Sequence, residues 1–520
     1  MQTEKPNWMT VSEALRWRAA KTPDHVALIQ SEKRLNWQDI DRCSDRIAWY
    51  FYQEGIRKGQ RVGMWGFNSV HWILTFLGLQ KLGVQAVLFN PYLVETELKE
   101  LIEYIKPTAI CALDAPKQLP SLYGTKPYRL YTMTDINRHM QIPTTPDERH
   151  HLETVKREVG PEDLLGILFT SGTTSRSKGV MLRQGDVISV AFETARQMHW
   201  GESDISSMAL PLFHCFGLSA GYLSSLASGH CVCLVDGVHS TSILKTVSRY
   251  QCTILNGVPT MFLAILKKNL LQIFDVSSLK SGIIAGSPVS KEDYLEICQA
   301  FQFEFLAMSY GQTETSPSIT FSPYGDPPEK IAESVGRVID SLECRIVSLQ
   351  GEKSQPVEAV GEIEVRGYHV FAGYYQMEKE TEAAIEPDGW LHTGDLGFLD
   401  DEGYLHVTGR KKDMIIRCGE NISCMEIEQA ILQYPNVKEV KVIGVPSVVT
   451  QEEVGACIVP EDGKQLDKQK LRTFLSALLT RYKIPRYILF LDELPRTANG
   501  KIKSGALKDV LLKQIEGGKS

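Results

Sequence analysis

The segment LLGILF at 164–169 constrains the fold most, because it is a short apolar run with no polar alternation. Such a run predicts a strand that is buried on both faces, as in a parallel sheet covered by helices. Upstream, apolar residues recur at helical spacing over 40–51, and RVGMWGF at 61–67 predicts another strand. A buried helix and the strand AVLF follow. Strands and helices that alternate at this length predict βαβ units and an α/β fold.

The composition and the pattern of predicted elements change at three places along the chain. The polar segment at 145–163 predicts an exposed connection. From about 336, short strands with Gly and Asp turns predict a small, largely antiparallel unit. After GRKKDMII at 409–416, helix and strand patterns return. We therefore predict a second, smaller domain that begins near 411.

Composition, charge and cysteine spacing exclude several classes of protein. With 43% hydrophobic and 23% charged residues, the 520-residue chain is neither fibrous nor mostly disordered. Its net charge of −7 argues against a dedicated nucleic-acid binder. The most apolar stretch is broken by Gln80 and Lys81, and the first residues lack the apolar core of a signal peptide. No membrane span and a cytoplasmic location are therefore predicted. Cys231 and Cys233 predict a buried, reduced strand rather than a metal site.

A loop rich in hydroxyls and glycine follows the apolar strand directly. It reads TSGTTSRSKG over 170–179 and contains one lysine, Lys178. Backbone N–H groups and hydroxyls can donate to phosphate oxygens, and a lysine adds a compact positive charge. The loop is not a Walker A loop, because no Gly-Lys-Ser/Thr ends it. By itself it predicts either a polyphosphate site or an ordinary Ser/Thr-rich surface loop.

Seven further motifs decide between these alternatives. They are PLFHCFG (211–217), AGSPVS (285–290), SYGQTETSP (309–317), GWLHTGDLG (389–397), GRKKDMI (409–415), GENISCMEIE (419–428) and PRTANGKIK (495–503). The whole set, in this order, resembles the adenylate-forming superfamily of acyl- and aryl-CoA synthetases, peptide-synthetase adenylation domains and firefly-type luciferases. The resemblance extends over nearly the whole chain.

The resemblance implies an α/β fold in two domains. The large N-terminal domain, 1–410, would consist of two βαβ-type subdomains plus a small β-barrel-like unit. A smaller, mobile C-terminal α+β domain, 411–520, would carry the catalytic lysine. Its hinge would lie at Lys412, the second residue after Arg410.

The resemblance also implies a two-step reaction with ATP, Mg²⁺ and CoA. A small-molecule carboxylate attacks the α-phosphate of ATP and forms an acyl-adenylate and pyrophosphate. The thiol of CoA then displaces AMP and leaves a thioester. A carboxylate is a poor electrophile until a good leaving group is attached, and AMP is that group.

Catalytic and phosphate contacts carry over motif by motif. Lys178 and the preceding loop would bind the β- and γ-phosphates. The loop residues concerned are Thr170, Ser171, Gly172, Thr173 and Thr174. Thr313 would hydrogen-bond the α-phosphate, and Glu314 would hold Mg²⁺. Lys501 would bridge the substrate carboxylate to the α-phosphate.

The remaining contacts concern the nucleoside and the thiol. Tyr310 and Gly311 would lie at the adenine, together with Gly286, Ser287 and Pro288, which would also line the acyl pocket. Asp395 would accept hydrogen bonds from both ribose hydroxyls, and Arg410 would contact ribose and phosphate. His214 would border the acyl pocket and help to close the thiol channel, which Gly419 and Glu420 would also reach.

Three residues depart from the usual family pattern. Ser175 replaces a glycine and Ser177 a proline of the phosphate loop, which changes the backbone freedom at both positions. Cys418 stands where many CoA ligases have a glycine, so it could narrow the thiol channel. The Ser-Arg pair in the loop, together with GENxSC, also occurs in carnitine- and crotonobetaine-CoA ligases.

The substrate and the thiol acceptor leave alternatives. Near His214 no aspartate is present for a substrate ammonium group, which argues against amino acids and favours a small or medium acyl group. An acyl-AMP ligase that loads a carrier-protein phosphopantetheine is the second hypothesis. A non-catalytic nucleotide-binding relative is the third. Against it stand five intact motif residues: Lys178, Glu314, Asp395, Arg410 and Lys501.

Overall fold

The computed structural model describes residues 9–113, 128–170, 177–237, 239–349, 357–417, 420–447, 449–496 and 502–517. Its α-helices are α1 (Val11–Lys21), α2 (Trp37–Gln53), α3 (Val70–Lys81), α4 (Glu95–Ile105), α5 (Met133–Gln141), α6 (Pro146–Lys156), α7 (Gln184–Gln197), α8 (Ser224–Ser228), α9 (Ser240–Tyr250), α10 (Pro259–Lys267), α11 (Lys291–Phe301), α12 (Pro328–Ile331), α13 (Glu378–Ala384), α14 (Cys424–Leu432), α15 (Lys468–Leu475) and α16 (Ser504–Gly517). A π-helix, Phe216–Leu223, precedes α8 directly.

The strands alternate with these helices along most of the chain. They are β1 (Val26–Gln30), β2 (Lys33–Asn36), β3 (Arg61–Gly66), β4 (Gln85–Phe89), β5 (Ala109–Leu113), β6 (Arg129–Thr132), β7 (Leu164–Thr170), β8 (Lys178–Arg183), β9 (Ile205–Met208), β10 (Cys231–Leu234), β11 (Ile254–Leu255), β12 (Ser281–Ala285), β13 (Phe305–Ser309), β14 (Thr320–Phe321), β15 (Arg337–Val338), β16 (Leu342–Val347), β17 (Gly361–Gly367), β18 (Gly373–Tyr374), β19 (Leu391–Leu399), β20 (Leu405–Arg410), β21 (Met414–Arg417), β22 (Glu420–Ser423), β23 (Val437–Ser447), β24 (Gln451–Pro460) and β25 (Tyr487–Phe490).

The chain packs into two compact units. The first consists of Met1–Cys344 and Val365–Leu391, and the second of Arg345–Glu364 and His392–Ser520. The domain boundary that the motifs place at residue 410 stays a prediction, because compact packing does not show which segment moves.

Two mainly parallel seven-stranded sheets form the framework of the first unit. One has the order β13-β12-β11-β9-β10-β1-β2, and the other the order β18-β8-β7-β4-β3-β5-β6. The pairs β3–β4, β3–β5 and β4–β7 are parallel, whereas β7–β8 is antiparallel. The predicted buried strand is therefore an interior strand, β7, and the two sheets confirm two βαβ-type subdomains.

Amphipathic periodicity and capping explain the helices that cover these sheets. Asn36 accepts a hydrogen bond from the N–H of Asp39, whose carboxylate accepts one from the Asn36 N–H, so α2 begins with a capping box. Ile40, Ile47 and Phe51 of α2 are fully buried, as their helical spacing predicts. Helix α3 is buried on all sides, which its nearly continuous apolar sequence requires.

The second unit contains most of one sheet and all of another. The first has the order β16-β17-β19-β20, with β19 and β20 antiparallel, in the region predicted as a small antiparallel unit. In the other sheet, β22-β21-β24-β23, the strands pair antiparallel and β25 joins β24 in parallel. Helices α14 and α15 pack on this sheet around Ile427, Leu471 and Leu475. This arrangement confirms an α+β unit.

One predicted connection is wrong. Within 145–163, Pro146–Lys156 forms helix α6, which begins with a capping box between Thr145 and Glu148 and has proline at its first turn. The polar composition of this segment indicated a loop, whereas its capping residues indicate the start of a helix. Cys231 and Cys233 lie on the buried strand β10 with free thiols, as predicted. None of the helices in the described segments has the length and apolar character that a membrane crossing requires.

Candidate active site

A strand pair brings the two described ends of the predicted phosphate loop together. β7 ends at Thr170 and β8 begins at Lys178, and these residues face each other across the antiparallel pair. Both side chains are half-buried. The other loop contacts predicted from the motif, Ser171, Gly172, Thr173 and Thr174, lie outside the described residues, as does Ser175.

The segments predicted to line the adenine follow two neighbouring parallel strands. Ala285, the last residue of β12, pairs with Ser309, the last residue of β13. Gly286 and Tyr310 therefore leave the sheet side by side at its carboxyl edge, where ligands bind in open α/β sheets. Gly286 has φ of 89°, a backbone conformation that favours glycine. Gly286, Ser287 and Pro288 are exposed, so a ligand can reach them.

Close backbone packing holds the turn after Tyr310. The Tyr310 N–H donates to Thr320 Oγ1 over 3.1 Å. A Cβ atom at Gly311 would lie 1.7 Å from the carbonyl oxygen of Pro317, so this position accepts only glycine. The chain then forms the short 3₁₀ turn Thr313–Thr315. Gly311 thereby allows the close packing that precedes this turn. The turn carries one predicted phosphate contact, Thr313, and one predicted metal contact, Glu314.

The PLFHCFG segment reaches the same turn. The thiol of Cys215 donates to Thr313 Oγ1 over 3.5 Å, and burial raises the pKa of this thiol to about 11. His214, half-buried, directly precedes Cys215, and the π-helix follows it. π-Helices are rare and occur frequently at functional sites. The structure thus places predicted residue His214 one position from a side chain that touches Thr313.

The carboxylate of Glu314 is held by a tyrosine from a distant part of the sequence. Glu314 is 9% exposed, and its Oε1 accepts a hydrogen bond from the Tyr374 hydroxyl over 2.9 Å. The ammonium of Lys178 lies 4.3 Å from the centre of the same tyrosine ring. Two predicted site residues of opposite charge therefore share one aromatic side chain.

In the second unit, Asp395 and Arg410 form an ion pair. They face each other across β19 and β20, and Arg410 Nε lies 3.0 Å from Asp395 Oδ1. Asp395 is buried, and its backbone N–H donates to Thr393 Oγ1 over 3.1 Å. The Arg410 side chain is half exposed. The strand register thus brings together the two residues predicted to contact the ribose.

A group of metal-ligand side chains also lies in the second unit, but it is already neutralised by cations. Glu362, Glu364 and His392 have ligand atoms within 4.8 Å of one another. Lys411 Nζ lies 2.6 Å from Glu362 Oε2, and Arg345 Nε donates to Glu364 Oε2 over 2.6 Å. We interpret this group as an ion-pair network.

Besides the loop residues, three further predicted site residues cannot be placed. Gly419 and Lys501 lie outside the described residues, and so does the side chain of Glu420, although its backbone begins β22. The departure at Cys418 also falls there. The roles assigned to these residues stay predictions.

Sequence reasoning missed two residues of the site. Cys215 lies within one of the motifs but has no predicted role, and Tyr374 lies in none of them. Tyr374 is 60 positions from Glu314 in the sequence, and the turn and strand that join them meet only in the fold. A signal was present for Cys215, because it directly follows the predicted residue His214.

Comparisons with known proteins agree with this geometry. The family model described as AMP-binding enzyme matches residues 15–375, and the model of the AMP-binding enzyme C-terminal domain matches 426–501. The Bacillus subtilis protein YngI is 33% identical, with 96% of this chain and 96% of that protein covered. The human mitochondrial medium-chain acyl-CoA ligase ACSF2 is 32% identical, with 98% of this chain and 88% of that protein covered.

A solved structure shows the same fold with an intermediate bound. The o-succinylbenzoate CoA synthetase MenE of Bacillus subtilis, in complex with its acyl-adenylate, has a TM-score of 0.82 and 27% identity, over 97% of this chain and 99% of that chain. ATP-bound MatB of Rhodopseudomonas palustris has a TM-score of 0.85 and 26% identity, over 96% and 99%. The chain therefore belongs to the AMP-binding enzyme family, and it is an ATP-dependent acyl-CoA synthetase that forms an acyl-adenylate and then a CoA thioester.

Proposed function

We propose that this enzyme activates a medium-chain carboxylic acid with MgATP and transfers the acyl group to CoA. The observation that carries the proposal is the arrangement at the Thr313–Thr315 turn, where Cys215 donates to Thr313 and Tyr374 contacts both Glu314 and Lys178. These are the side chains that phosphoryl attack requires, namely a hydroxyl donor, a metal carboxylate and a cation. The substrate class in the name of the human relative supports a medium-chain acid.

Glu314 has the donor chemistry that Mg²⁺ prefers. Magnesium bound to nucleotides commonly takes one or two protein carboxylates, with substrate phosphates and water completing its shell. Within the part of the chain that the structure describes, no group of three metal-ligand side chains surrounds Glu314. Its buried carboxylate has one oxygen engaged by Tyr374, which leaves the other for an ion. The ion would supply neutralisation of charge on the phosphate oxygens.

In the first step, we assign the binding of the triphosphate to Lys178 and the loop from Thr170, and the orientation of the α-phosphate to Thr313. The substrate carboxylate oxygen forms a bond to the α-phosphorus while the bond to pyrophosphate breaks. Lys501 would neutralise the carboxylate and the α-phosphate as they approach each other. The ribose would lie at Asp395 and Arg410, and these residues would have to exchange part of their ion pair for ribose hydroxyls.

In the second step, the thiol of CoA attacks the carbonyl carbon of the adenylate and AMP leaves. Gly419 and Glu420 would flank the thiol channel, and His214 would close it from the side of the acyl group. A side chain at Cys418, where many CoA ligases have glycine, would narrow this channel. A carrier-protein phosphopantetheine is therefore the alternative thiol acceptor, to be compared with CoA.

The proposal is tested by pyrophosphate release over a panel of carboxylic acids, with and without CoA. We expect release with medium-chain fatty acids, and acyl-CoA only when CoA is present. The panel includes dicarboxylates, amino acids and aryl acids, and a phosphopantetheinylated carrier protein replaces CoA in a parallel series. Preference for a dicarboxylate or an amino acid would refute the substrate class, and transfer to the carrier protein alone would refute CoA as acceptor.

We also propose a cytoplasmic location for this protein. Support comes from the free thiols of Cys231 and Cys233, which fit a reducing compartment. The human relative is named as mitochondrial, so fractionation of cells that express the full chain is the test.

A further inference from the structure

Tyr374 contacts both charged side chains that are proposed to bind the metal and the phosphates. Its hydroxyl donates to Glu314 Oε1 over 2.9 Å, and its ring centre lies 4.3 Å from Lys178 Nζ. Tyr374 is 8% exposed, so the ring is packed and not free to change position. Its location between a predicted metal carboxylate and a predicted phosphate lysine calls for a functional explanation.

The backbone of Tyr374 is fixed on the side of Lys178. β18 pairs antiparallel with β8, and Tyr374 faces Val180 in this register. The N–H of the next residue, Tyr375, donates to the carbonyl of Gly179 over 2.8 Å. The ring position is thereby tied to the strand that begins with Lys178.

A second set of contacts ties the same segment to the turn that carries Glu314. The Phe371 N–H donates to the carbonyl oxygen of Glu314 over 2.9 Å. The Tyr374 N–H donates to Thr381 Oγ1 over 2.9 Å, which anchors the segment to helix α13. Backbone and side-chain bonds thus both connect Glu314 to the segment around Tyr374. The hydrogen bond from the tyrosine hydroxyl is therefore one of two that join Glu314 to this segment.

The tyrosine hydroxyl is the donor in this pair, because a carboxylate can only accept. Among the residues that the structure describes, Oε2 of Glu314 receives no hydrogen bond. The tyrosine therefore orients the carboxylate and leaves one oxygen for a ligand.

We propose that Tyr374 is a positioning residue for the magnesium ion of MgATP, because it holds Glu314 with Oε2 available to the metal. Groups that hydrogen-bond a metal ligand fix its orientation and strongly affect metal affinity. The proposal rests on the metal role proposed for Glu314. The ring of the same tyrosine contacts the ammonium of Lys178, which is proposed to bind the phosphates.

The test is a titration of the full-length protein with Mn²⁺, followed by electron paramagnetic resonance, in the presence of a non-hydrolysable ATP analogue. Tyr374→Phe removes one oxygen and keeps the ring. We expect its Mn²⁺ affinity to fall about 10- to 100-fold, as is typical when a partner of a metal ligand is removed. Tyr375→Phe is the matched control, because its hydroxyl accepts a hydrogen bond from the exposed Gln376 and none is recorded from a predicted site residue among those that the structure describes. Its affinity should equal that of the wild type.

Two further measurements separate the possible failures. Glu314→Gln tests the underlying metal role, and binding of the analogue in the presence of EDTA tests whether the nucleotide site is intact. If Glu314→Gln weakens Mn²⁺ binding and Tyr374→Phe does not, the positioning role is wrong and the metal role stands. If neither variant changes it, both roles are wrong. If Tyr374→Phe weakens binding of the analogue in EDTA as much as it weakens Mn²⁺ binding, the hydroxyl supports the fold rather than the metal. The proposal then fails.

Discussion

At the scale of single residues, the hydroxyl of Thr313 is oriented by a neighbour from another segment. Because the Cys215 thiol donates to the threonine oxygen, the threonine proton remains available for a phosphate oxygen. A protonated thiol serves this purpose, whereas a thiolate would take the threonine proton for itself. The raised pKa of Cys215 is consistent with such a role.

Cys215 should be slow to alkylate at neutral pH. Burial is the main cause that raises its pKa to about 11 from the ordinary value of 9.0, so its thiolate fraction at neutral pH is roughly 100-fold lower than that of an ordinary thiol. Iodoacetamide labelling of the native protein, followed by peptide mass spectrometry, should show a rate that rises up to about pH 11. The same labelling in denaturant is the control, where Cys215 should react at the ordinary rate. Rapid labelling of the native protein at pH 7 would contradict this expectation.

At the scale of elements, helices α2, α3 and α6 are joined by a buried cluster of charges. Lys81 is fully buried in α3, and its ammonium lies 2.6 Å from carboxylate oxygens of Asp41 and Asp45 in α2. Lys156 of α6 lies 2.5 Å from Asp45. Removal of one partner from such a cluster leaves buried charge without compensation.

Lys81→Met should therefore lower the free energy of unfolding by about 3 kcal/mol. Urea unfolding of the intact protein, followed by circular dichroism, measures the change. Lys99→Met is the matched control, since Lys99 pairs with Glu95 on the exposed face of α4 and should matter by less than about 0.5 kcal/mol. Equal stability of Lys81→Met and the wild type would show that the cluster does not hold the helices together.

The same cluster should make the protein sensitive to acid. Burial by itself would raise the pKa of Asp45, but the charges of Lys81 and Lys156 outweigh this effect and hold the pKa below its ordinary value of 3.8. A lowered carboxyl pKa contributes stability that is complete above the ordinary pKa and is lost as pH falls through the lowered one. The stability difference between the wild type and Asp45→Asn should thus be constant above about pH 5 and shrink below about pH 4. A difference that grows in acid would show that the two lysines do not lower this pKa.

Sequence patterns predicted the elements whose burial is local. β7 and α2 followed from an uninterrupted apolar run and from helical spacing, because each pattern reflects the contacts of one element with one layer. Lys81, in contrast, interrupts an apolar run in the sequence but is buried, because two carboxylates neutralise its charge. These partners lie 36 and 40 positions away in the sequence. Polarity alone could not predict this burial.

The same distinction applies to the site. The sequence places Thr313 and Glu314 together because one contiguous motif carries them. It could not place Tyr374 beside Glu314, because that contact arises from the register of β18 beside β8 and from the approach of the Glu314 turn. Helix α6 is a different case, since Thr145, Pro146 and Glu148 are visible start signals that a reading by composition overlooks.

At the scale of the whole molecule, the two half-reactions place different demands on one acyl carbon. By the family resemblance, the first would need the ammonium of Lys501 beside the carboxylate, and the second would need a thiol channel at the same atom. The family resemblance implies that the small domain rotates at Lys412 between the two steps. Lys412 lies in the short 3₁₀ turn Lys411–Asp413, between β20 and β21. A turn between strands can change its torsion angles without disturbing either strand.

Lys412→Pro should uncouple the two half-reactions. Proline fixes φ near −65°, so the turn loses the freedom that a rotation needs. We expect pyrophosphate release in the absence of CoA to stay near the wild-type rate, and thioester formation to slow about 100-fold or more. Lys412→Ala is the control and should be nearly normal in both steps. Equal loss of both steps in Lys412→Pro, or no loss in either, would show that the hinge lies elsewhere.

The path of the carboxylate oxygen atoms tests most directly whether the acid is activated as an acyl-adenylate. The acid is labelled with a heavy oxygen isotope in its carboxylate and converted to acyl-CoA, and the released AMP is analysed by mass spectrometry. Because a carboxylate oxygen bonds to the α-phosphorus and leaves with AMP when the thiol attacks, each AMP should carry one labelled oxygen. Label in phosphate or pyrophosphate, or AMP without label, would contradict the adenylate mechanism.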